Sequence, residues 1–301
     1  MENIKYEKRG YLEEDFKVFY LEDLVSKEIE YHYHDFDKIL VFFQGNIEYT
    51  IEGKAYTLIP NDIVLVPQGD SHKVEPLLHS QQDAGRNNAL LNEDKTGAEY
   101  VRLVIYLSPQ YLIKCEENGI NLRDCFLQVK DKYSHVVRPK AKAEQQLLQL
   151  TKQLKLSVSQ REKEALGNLY QRALIMQFLI LLNREMVKES LRFVDTSRCN
   201  KKVVDIIQYI NNHLTDEISI DRISEKFFIS KYHMMRQFKA ETGYTIGSYI
   251  NQKRLLMARE ILKQGEPVTK AYLDVGFKDY SSFVRAYKQL FGEIPSKRGS
   301  I

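Results

Sequence analysis

The chain carries three cysteines in 301 residues, Cys115, Cys125 and Cys199, and their spacing forms no paired metal motif. So few thiols exclude a disulfide-built scaffold and lead us to expect reduced side chains in a cytosolic protein. Long apolar runs are also missing. The longest, Ala173 to Leu182, is interrupted by Gln177 and is too short to span a bilayer. No cleavable signal follows the opening Met-Glu-Asn-Ile-Lys, so a cytoplasmic protein without a membrane partner is expected. A catalytic triad, a phosphate-cradling loop and a dinucleotide fingerprint are all absent as recognisable motifs, and no enzyme is expected. Net charge is small, at +3, but it is unevenly spread. Residues 201–301 hold 17 basic and 11 acidic side chains, a net +6, and the remainder is −3. A basic third of this kind suits attraction to phosphate.

Within that basic third one pattern is written twice. Met234-Met235-Arg236-Gln237-Phe238-Lys239-Ala240-Glu241-Thr242-Gly243 recurs 49 positions later as Phe283-Val284-Arg285-Ala286-Tyr287-Lys288-Gln289-Leu290-Phe291-Gly292. Self-similarity of this length marks a duplicated supersecondary unit. In the first copy Ser219 and Ser230 are placed to cap two short helices, with Ile220, Ile223 and Phe227 and then Met234 and Phe238 inward. In the second, Pro267 suits a first turn, Gly276 the turn between helices, and Asp279 a cap, with Phe283 and Tyr287 inward. Between the copies, Thr245 to Lys263 reads as one helix with Ile246, Ile250, Met257, Ile261 and Leu262 apolar. Each copy is thus a helix-turn-helix.

These residues resemble the DNA-binding domain of AraC/XylS-type transcriptional regulators. The resemblance rests on Ser230, Arg236-x-Phe238-Lys239, Gly243, Tyr249, Arg254, Ala258, Leu262, Gly276-Phe277-x-Asp279, Phe283-x-Arg285-x-Tyr287-Lys288, Gly292 and Pro295. Tyr272, Phe228 and the tail Ser296-Lys297-Arg298 depart from the family pattern. The resemblance implies a sequence-specific regulator that binds a double-stranded operator, with base contacts from Tyr232, Met235 and Arg236 in the first unit and from Tyr280, Ser281 and Arg285 in the second. Met235 is open between reading a base and joining the core. Lys231, Lys239, Lys278 and Lys288 are the phosphate candidates, and Arg254 is assigned to structure. RNA polymerase is a further partner if the regulator is an activator.

Residues from about Val18 to Leu107 read as short strands, among them Ile39 to Phe43, Ile47 to Ile51, Ala55 to Ile59, Ile63 to Val66 and Tyr100 to Leu107, punctuated by turns. That spacing argues for an antiparallel barrel or sandwich. His32-x-His34, Gly45, Pro67-x-Gly69 and His72 resemble the two cupin motifs found in the sensor half of many AraC-type regulators. In metal-holding cupins three histidines and a glutamate bind the ion. Lys38 stands in place of the glutamate, and an ammonium there disfavours a cation. Asp35 and Asp37 stand open as substitutes for the glutamate, and three histidines alone can hold zinc, but the histidines are read foremost as structural or ligand-contacting, with neither metal nor cofactor expected. His34, Lys38, Tyr49, His72, Arg102 and Tyr106 are the pocket candidates, although strand faces are not assigned by the pattern. If Lys38 and Arg102 point inward, they favour an anionic or hydroxyl-rich effector; sugars and related metabolites are what the resemblance implies. The polar segment Gln81 to Glu99 reads as an exposed insertion or, alternatively, a lid.

Beyond Pro109 the pattern turns helical. Leu147, Leu150, Leu154 and Val158 form one stripe; Leu166, Tyr170, Ala173, Leu174, Gln177, Phe178 and Leu181 form a broader one that needs cover on several sides. A homodimer interface on these helices, implied by the resemblance, and an intramolecular bundle both satisfy that need. The expected fold is therefore α+β: a cupin-like antiparallel β-barrel over residues 1–110, a helical connector over 111–187, a linker over 188–200, and an all-α double helix-turn-helix domain over 201–301. The expected function is a ligand-sensing regulator; a metal-dependent cupin enzyme fused to a DNA-binding domain is the alternative.

Overall fold

The computed structural model describes residues 9–77, 97–160 and 166–296. The chain divides into two compact units, Met1–Arg198 and Cys199–Ile301. Of the polar stretch read as insertion or lid, residues 81–96 lie outside the described residues, as do Lys297 and Arg298 of the tail.

The first unit begins with strands β1 (Arg9–Gly10), β2 (Phe16–Val25), β3 (Ile29–His34), β4 (Asp37–Gly45), β5 (Ile47–Ile51), β6 (Lys54–Thr57), β7 (Ile63–Val66), β8 (His72–Pro76) and β9 (Ala98–Leu107). Helices α1 (Pro109–Lys114) and α2 (Asp124–Asp131), strand β10 (Val136–Pro139), helices α3 (Ala141–Gln160) and α4 (Gly167–Val187) and strand β11 (Leu191–Phe193) follow. One sheet runs β1-β3-β8-β5-β6, the other β11-β10-β7-β4-β9-β2. The strand pairs are antiparallel except β1 beside β3.

Side chains alternate along a strand, and on β4 both faces are buried. Leu40 and Phe42 join Ile47, Tyr49, Ile51, Val64, Val74 and Val104 between the sheets. Ile39 and Val41 join Ile63, Leu103 and Ile105 on the opposite face, against Leu112, Phe126, Leu147, Leu154 and Phe178 of the four helices. A strand covered on both faces reads as a continuous apolar run, which is why Ile39 to Phe43 stands out in the sequence.

Two readings of the middle of the chain need correction. The stretch 111–187 is not helical throughout, because β10 pairs with β7 through Val136↔Val64 and Val137↔Ile63. The stretch 188–200 is not a plain linker. Leu191–Phe193 pairs with β10, Ser197 N donates to Ala55 O at 2.8 Å, and Arg198 ion-pairs with Glu48 at 2.9 Å. Strands this short carry too little alternation to be seen. The broad stripe on α4 also divides: Leu174, Phe178 and Leu181 are buried, whereas Leu166, Tyr170, Ala173 and Gln177 are exposed.

The second unit consists of α5 (Lys201–Asn212), α6 (Ile220–Lys226), α7 (Lys231–Thr242), α8 (Ile246–Lys263), α9 (Val268–Asp274) and α10 (Tyr280–Phe291). Side-chain oxygens of Ser219, Ser230, Thr245 and Asp279 accept from Arg222, His233, Ser248 and Ser282 N–H groups, satisfying donors that a helix start leaves orphaned. Pro267 stands at the cap of α9 rather than in its first turn. Helices α7 and α10 each end on a glycine in the left-handed region, Gly243 at φ 76° and Gly292 at φ 73°, a conformation costly for any residue with a Cβ. On α8, Met257 is exposed rather than inward. Arg254 fastens the connector to the loop before α6 and to the turn between α9 and α10: Nε donates to Leu214 O (2.7 Å), Nη1 to Gly276 O (2.8 Å) and Nη2 to Asp216 O (2.7 Å).

Candidate functional site

In the first unit the alternation that places Leu40 and Phe42 between the sheets places Lys38 there too, and on β9 it places Arg102 and Tyr106 beside Val104. His32 and His34 are two apart on β3 and share a face. His72 is paired opposite His32. Ring centroids lie 4.2 Å apart for His32 and His72, 4.9 Å for His34 and His72, and 5.0 Å for His32 and His34. Phe36 stacks on His34 at 4.5 Å, and Tyr49 stacks on His72 at 5.8 Å. Tyr106 lies 5.8 Å from His34.

Hydrogen bonds fix these rings. His32 Nδ1 donates to Glu30 O (2.8 Å), and His72 Nδ1 donates to Asp70 O (3.0 Å). Asp70 is itself anchored by His135, 3.1 Å away. His34 Nδ1 and Nε2 and His72 Nε2 are buried and find no hydrogen-bond partner among the described residues. The backbone closes over His34 at Gly10, where a Cβ would come within 2.4 Å of its Nδ1.

Charge in this interior is one-sided. Lys38 Nζ donates to Tyr49 Oη at 3.0 Å, and among the described residues no carboxylate lies within ion-pair distance of it. Burial, then the charge of Arg102, lowers its pKa to about 7. Burial, then Lys38, brings His32 down to about 4, and His34 and His72 are held well below the ordinary range, foremost by burial. All three rings are therefore neutral near pH 7. Arg102 is differently placed. Its guanidinium is committed to Tyr100 O and Asp23 Oδ2, each at 2.7 Å, and lies 3.8 Å over the Tyr100 ring.

The structure thus brings His34, Lys38, Tyr49, His72 and Tyr106 into one cluster, with Arg102 on the same inner face but turned to the Asp23 edge. His32 completes the cluster, and sequence reasoning omitted it from the pocket. Its spacing of two from His34 is the signal that could have found it. Nitrogen atoms of His32, His34 and His72 lie within 4.8 Å of one another, a donor set that fits a three-nitrogen metal site lacking a carboxylate.

In the second unit the ten sequence-derived DNA candidates, Lys231, Tyr232, Met235, Arg236, Lys239, Lys278, Tyr280, Ser281, Arg285 and Lys288, are all exposed. Met235, open between core and surface, is 43% exposed. Behind them Met234, Phe238, Phe283 and Tyr287 are buried, so α7 and α10 present equivalent outward faces. Two of the lysines already have partners: Lys231 ion-pairs with Asp221 and Lys278 with Glu217.

A family model described as an AraC-like ligand binding domain matches residues 22–179, and one described as a helix-turn-helix domain matches residues 223–298. The HTH-type transcriptional activator RhaS of Enterobacter sp. (strain 638) is 28% identical over 269 residues, covering 88% of this chain and 85% of that protein. The protein of the same name from Citrobacter koseri is 28% identical over 269 residues with the same coverage. Among solved structures, a probable AraC family transcriptional regulator from Rhodopseudomonas palustris is 29% identical and covers 32% of this chain and 93% of its own, with a TM-score of 0.30.

Proposed function

The chain belongs to the AraC family of DNA-binding transcriptional regulators that carry a ligand-binding domain, and from that premise we propose how its two units divide the work. Helices α7 and α10 each enter a major groove, at positions about one helical turn, roughly 34 Å, apart on one face of the operator. Arg236 and Arg285 read bases, with Tyr232, Met235, Tyr280 and Ser281 beside them; an arginine bidentate to guanine discriminates by about 1–3 kcal/mol. Lys239 and Lys288 meet phosphates. Lys231 and Lys278 do so by exchanging Asp221 and Glu217 for phosphate, so each contributes less than an unpaired lysine would.

The observation that carries this reading is the matched pair of arginines, 49 positions apart, exposed on equivalent faces of two buried-core helix-turn-helix units held on one connector. Selection of bound duplexes from a random pool tests it. The full chain is expected to enrich a bipartite motif, Arg236→Ala relaxing one half and Arg285→Ala the other. Loss of the same half in both variants, or a single-element motif, sinks the assignment.

The effector is a small molecule with an anionic or hydroxyl-rich surface, seated among His34, Lys38, Tyr49, His72 and Tyr106. It acts by binding one arrangement of the regulator more tightly than another. No catalytic step belongs to this reading, which places the protein in the cytoplasm. The relatives are activators by name, which favours activation here and makes RNA polymerase a partner. A second copy of the chain is the other partner. From the cap residue Leu166 along α4, the exposed positions Leu166, Tyr170, Ala173, Gln177, Ile180, Arg184 and Val187 follow one another at alternating spacings of four and three, the seam of a helix pair. Sedimentation that shows only monomer at micromolar concentration would remove the dimer.

A further inference from the structure

Hydrogen bonding among the described residues leaves two of the three imidazoles, His34 and His72, incompletely satisfied. A backbone carbonyl can only accept, so the Nδ1 atoms of His32 and His72, bonded to Glu30 O and Asp70 O, carry the ring protons. In a neutral ring the Nε2 then presents a lone pair. Among the described residues nothing donates to the buried His72 Nε2, and neither nitrogen of the buried His34 is satisfied. Leaving such groups unmatched is costly. A carbonyl-anchored Nδ1–H with Nε2 turned inward is also how metal-ligating histidines are oriented.

What satisfies them has to be compact. The cluster's nitrogens lie within 4.8 Å of one another, close enough for a single bound species to meet all three. Nitrogens about 2.1 Å from a tetrahedral ion stand roughly 3.4 Å apart, a small inward turn of the rings away. Three neutral donors leave a divalent charge unbalanced and at least one coordination position open. Beside them stands Lys38 Nζ, held by Tyr49 Oη at 3.0 Å, without a carboxylate partner among the described residues. A cation next to a lysine needs an anion between them, and among the described residues the protein supplies none.

We propose that His32, His34 and His72 hold one divalent transition-metal ion, and that an anionic effector completes the site by ligating the ion and accepting a hydrogen bond from Lys38. The proposal rests on the effector assignment above and narrows it to a metal-chelating anion. Metal and anion then bind cooperatively, and by linkage each tightens the other by the same factor. Lys38 is a positioning and specificity residue, making the carboxylate part of the effector rather than of the protein.

The test uses the full chain stripped of metal by a chelator and dialysed, with Co²⁺ as the probe ion and oxalate as the probe anion. Titration is expected to give one equivalent of bound Co²⁺ with visible d–d absorption, lost in His34→Ala and in His72→Ala, with circular dichroism confirming that both variants fold. Oxalate is expected to tighten Co²⁺ binding by about tenfold, within the usual range of site coupling. Lys38→Glu should bind Co²⁺ more tightly than the wild type without oxalate and lose the oxalate effect; Lys38→Met should keep the ion and lose the effect. Failure of folded wild type to bind Co²⁺, as when the rings merely share a buried water, overturns the proposal, and so does binding that survives His72→Ala. An oxalate effect unchanged in both Lys38 variants overturns the anion's part in it. Operator selection by the same metal-free protein separates the two readings: a bipartite motif without Co²⁺ binding refutes only the metal site.

Discussion

Phe228 is 93% exposed and sits at φ 49°, in the turn between α6 and α7. The left-handed region suits glycine, and a side chain there costs about 1 kcal/mol or more. Nothing in the fold of the second unit recovers that cost, since the ring covers no core. Phe228→Gly is therefore expected to stabilise the chain by about 1 kcal/mol in chemical denaturation. A destabilised variant would show that the ring makes contacts the exposure conceals. Lys38 is the opposite case, a buried cation whose reason is chemical rather than conformational. Its place on the inner face follows from the period of two, because Leu40 and Phe42 are inward. That no carboxylate among the described residues stands beside it does not follow from any local pattern. Asp35 and Asp37 are close in sequence, yet Asp37 is committed to Arg123, at 2.6 Å and 3.1 Å, and Asp35 accepts from Leu12 N at 3.0 Å. The base that pairs with Asp37 lies 86 residues away in the chain, and that information is tertiary.

At the scale of elements, α10 depends on a charged cap. Asp279 accepts from Ser282 N at 2.7 Å, and that bond holds its carboxyl below the usual range. A carboxylate with a lowered folded-state pKa contributes stability that is full above its unfolded value, near 3.9. The contribution is lost as pH falls through the folded value. Asp279→Asn, which keeps an accepting oxygen, is expected to flatten the acid limb of the stability profile without changing it at pH 7. An unchanged acid limb would mean the cap carries no charge-dependent stability. The caps and the repeat made the second unit legible in the sequence: Ser219, Ser230 and Asp279 stand where an oxygen is needed, and Gly243 and Gly292 where only glycine sits easily. In the first unit β4 and β7 were legible because they are buried on both faces. Strand β8 was not, since His72–Pro76 holds only Val74 as an aliphatic side chain, and its identity comes from pairing with β3 and β5. Helix α4 was legible as a helix, but not as one whose apolar surface is half covered. That division depends on which neighbours the fold supplies.

For the whole molecule, the separation of charge matches the proposed separation of work: the +6 of residues 201–301 accompanies the helices proposed to meet phosphate. Among the described residues no helix is long and apolar enough to cross a membrane. The second unit is built as one reading head. Arg254 joins the connector α8 to carbonyls of the loop before α6 and of the turn between α9 and α10, at 2.7–2.8 Å, which supports the proposal that the spacing between α7 and α10 is set by the protein and not by the DNA. The most direct test is the affinity of the full chain for its selected operator with about five base pairs, half a helical turn, inserted between the two half-elements. Binding is expected to fall to the level of a duplex carrying one half-element alone, and to recover in part when the insertion is a full turn of about ten base pairs and the protein binds as two copies. Equal affinity for the original and the half-turn spacing would contradict a rigid two-groove reader.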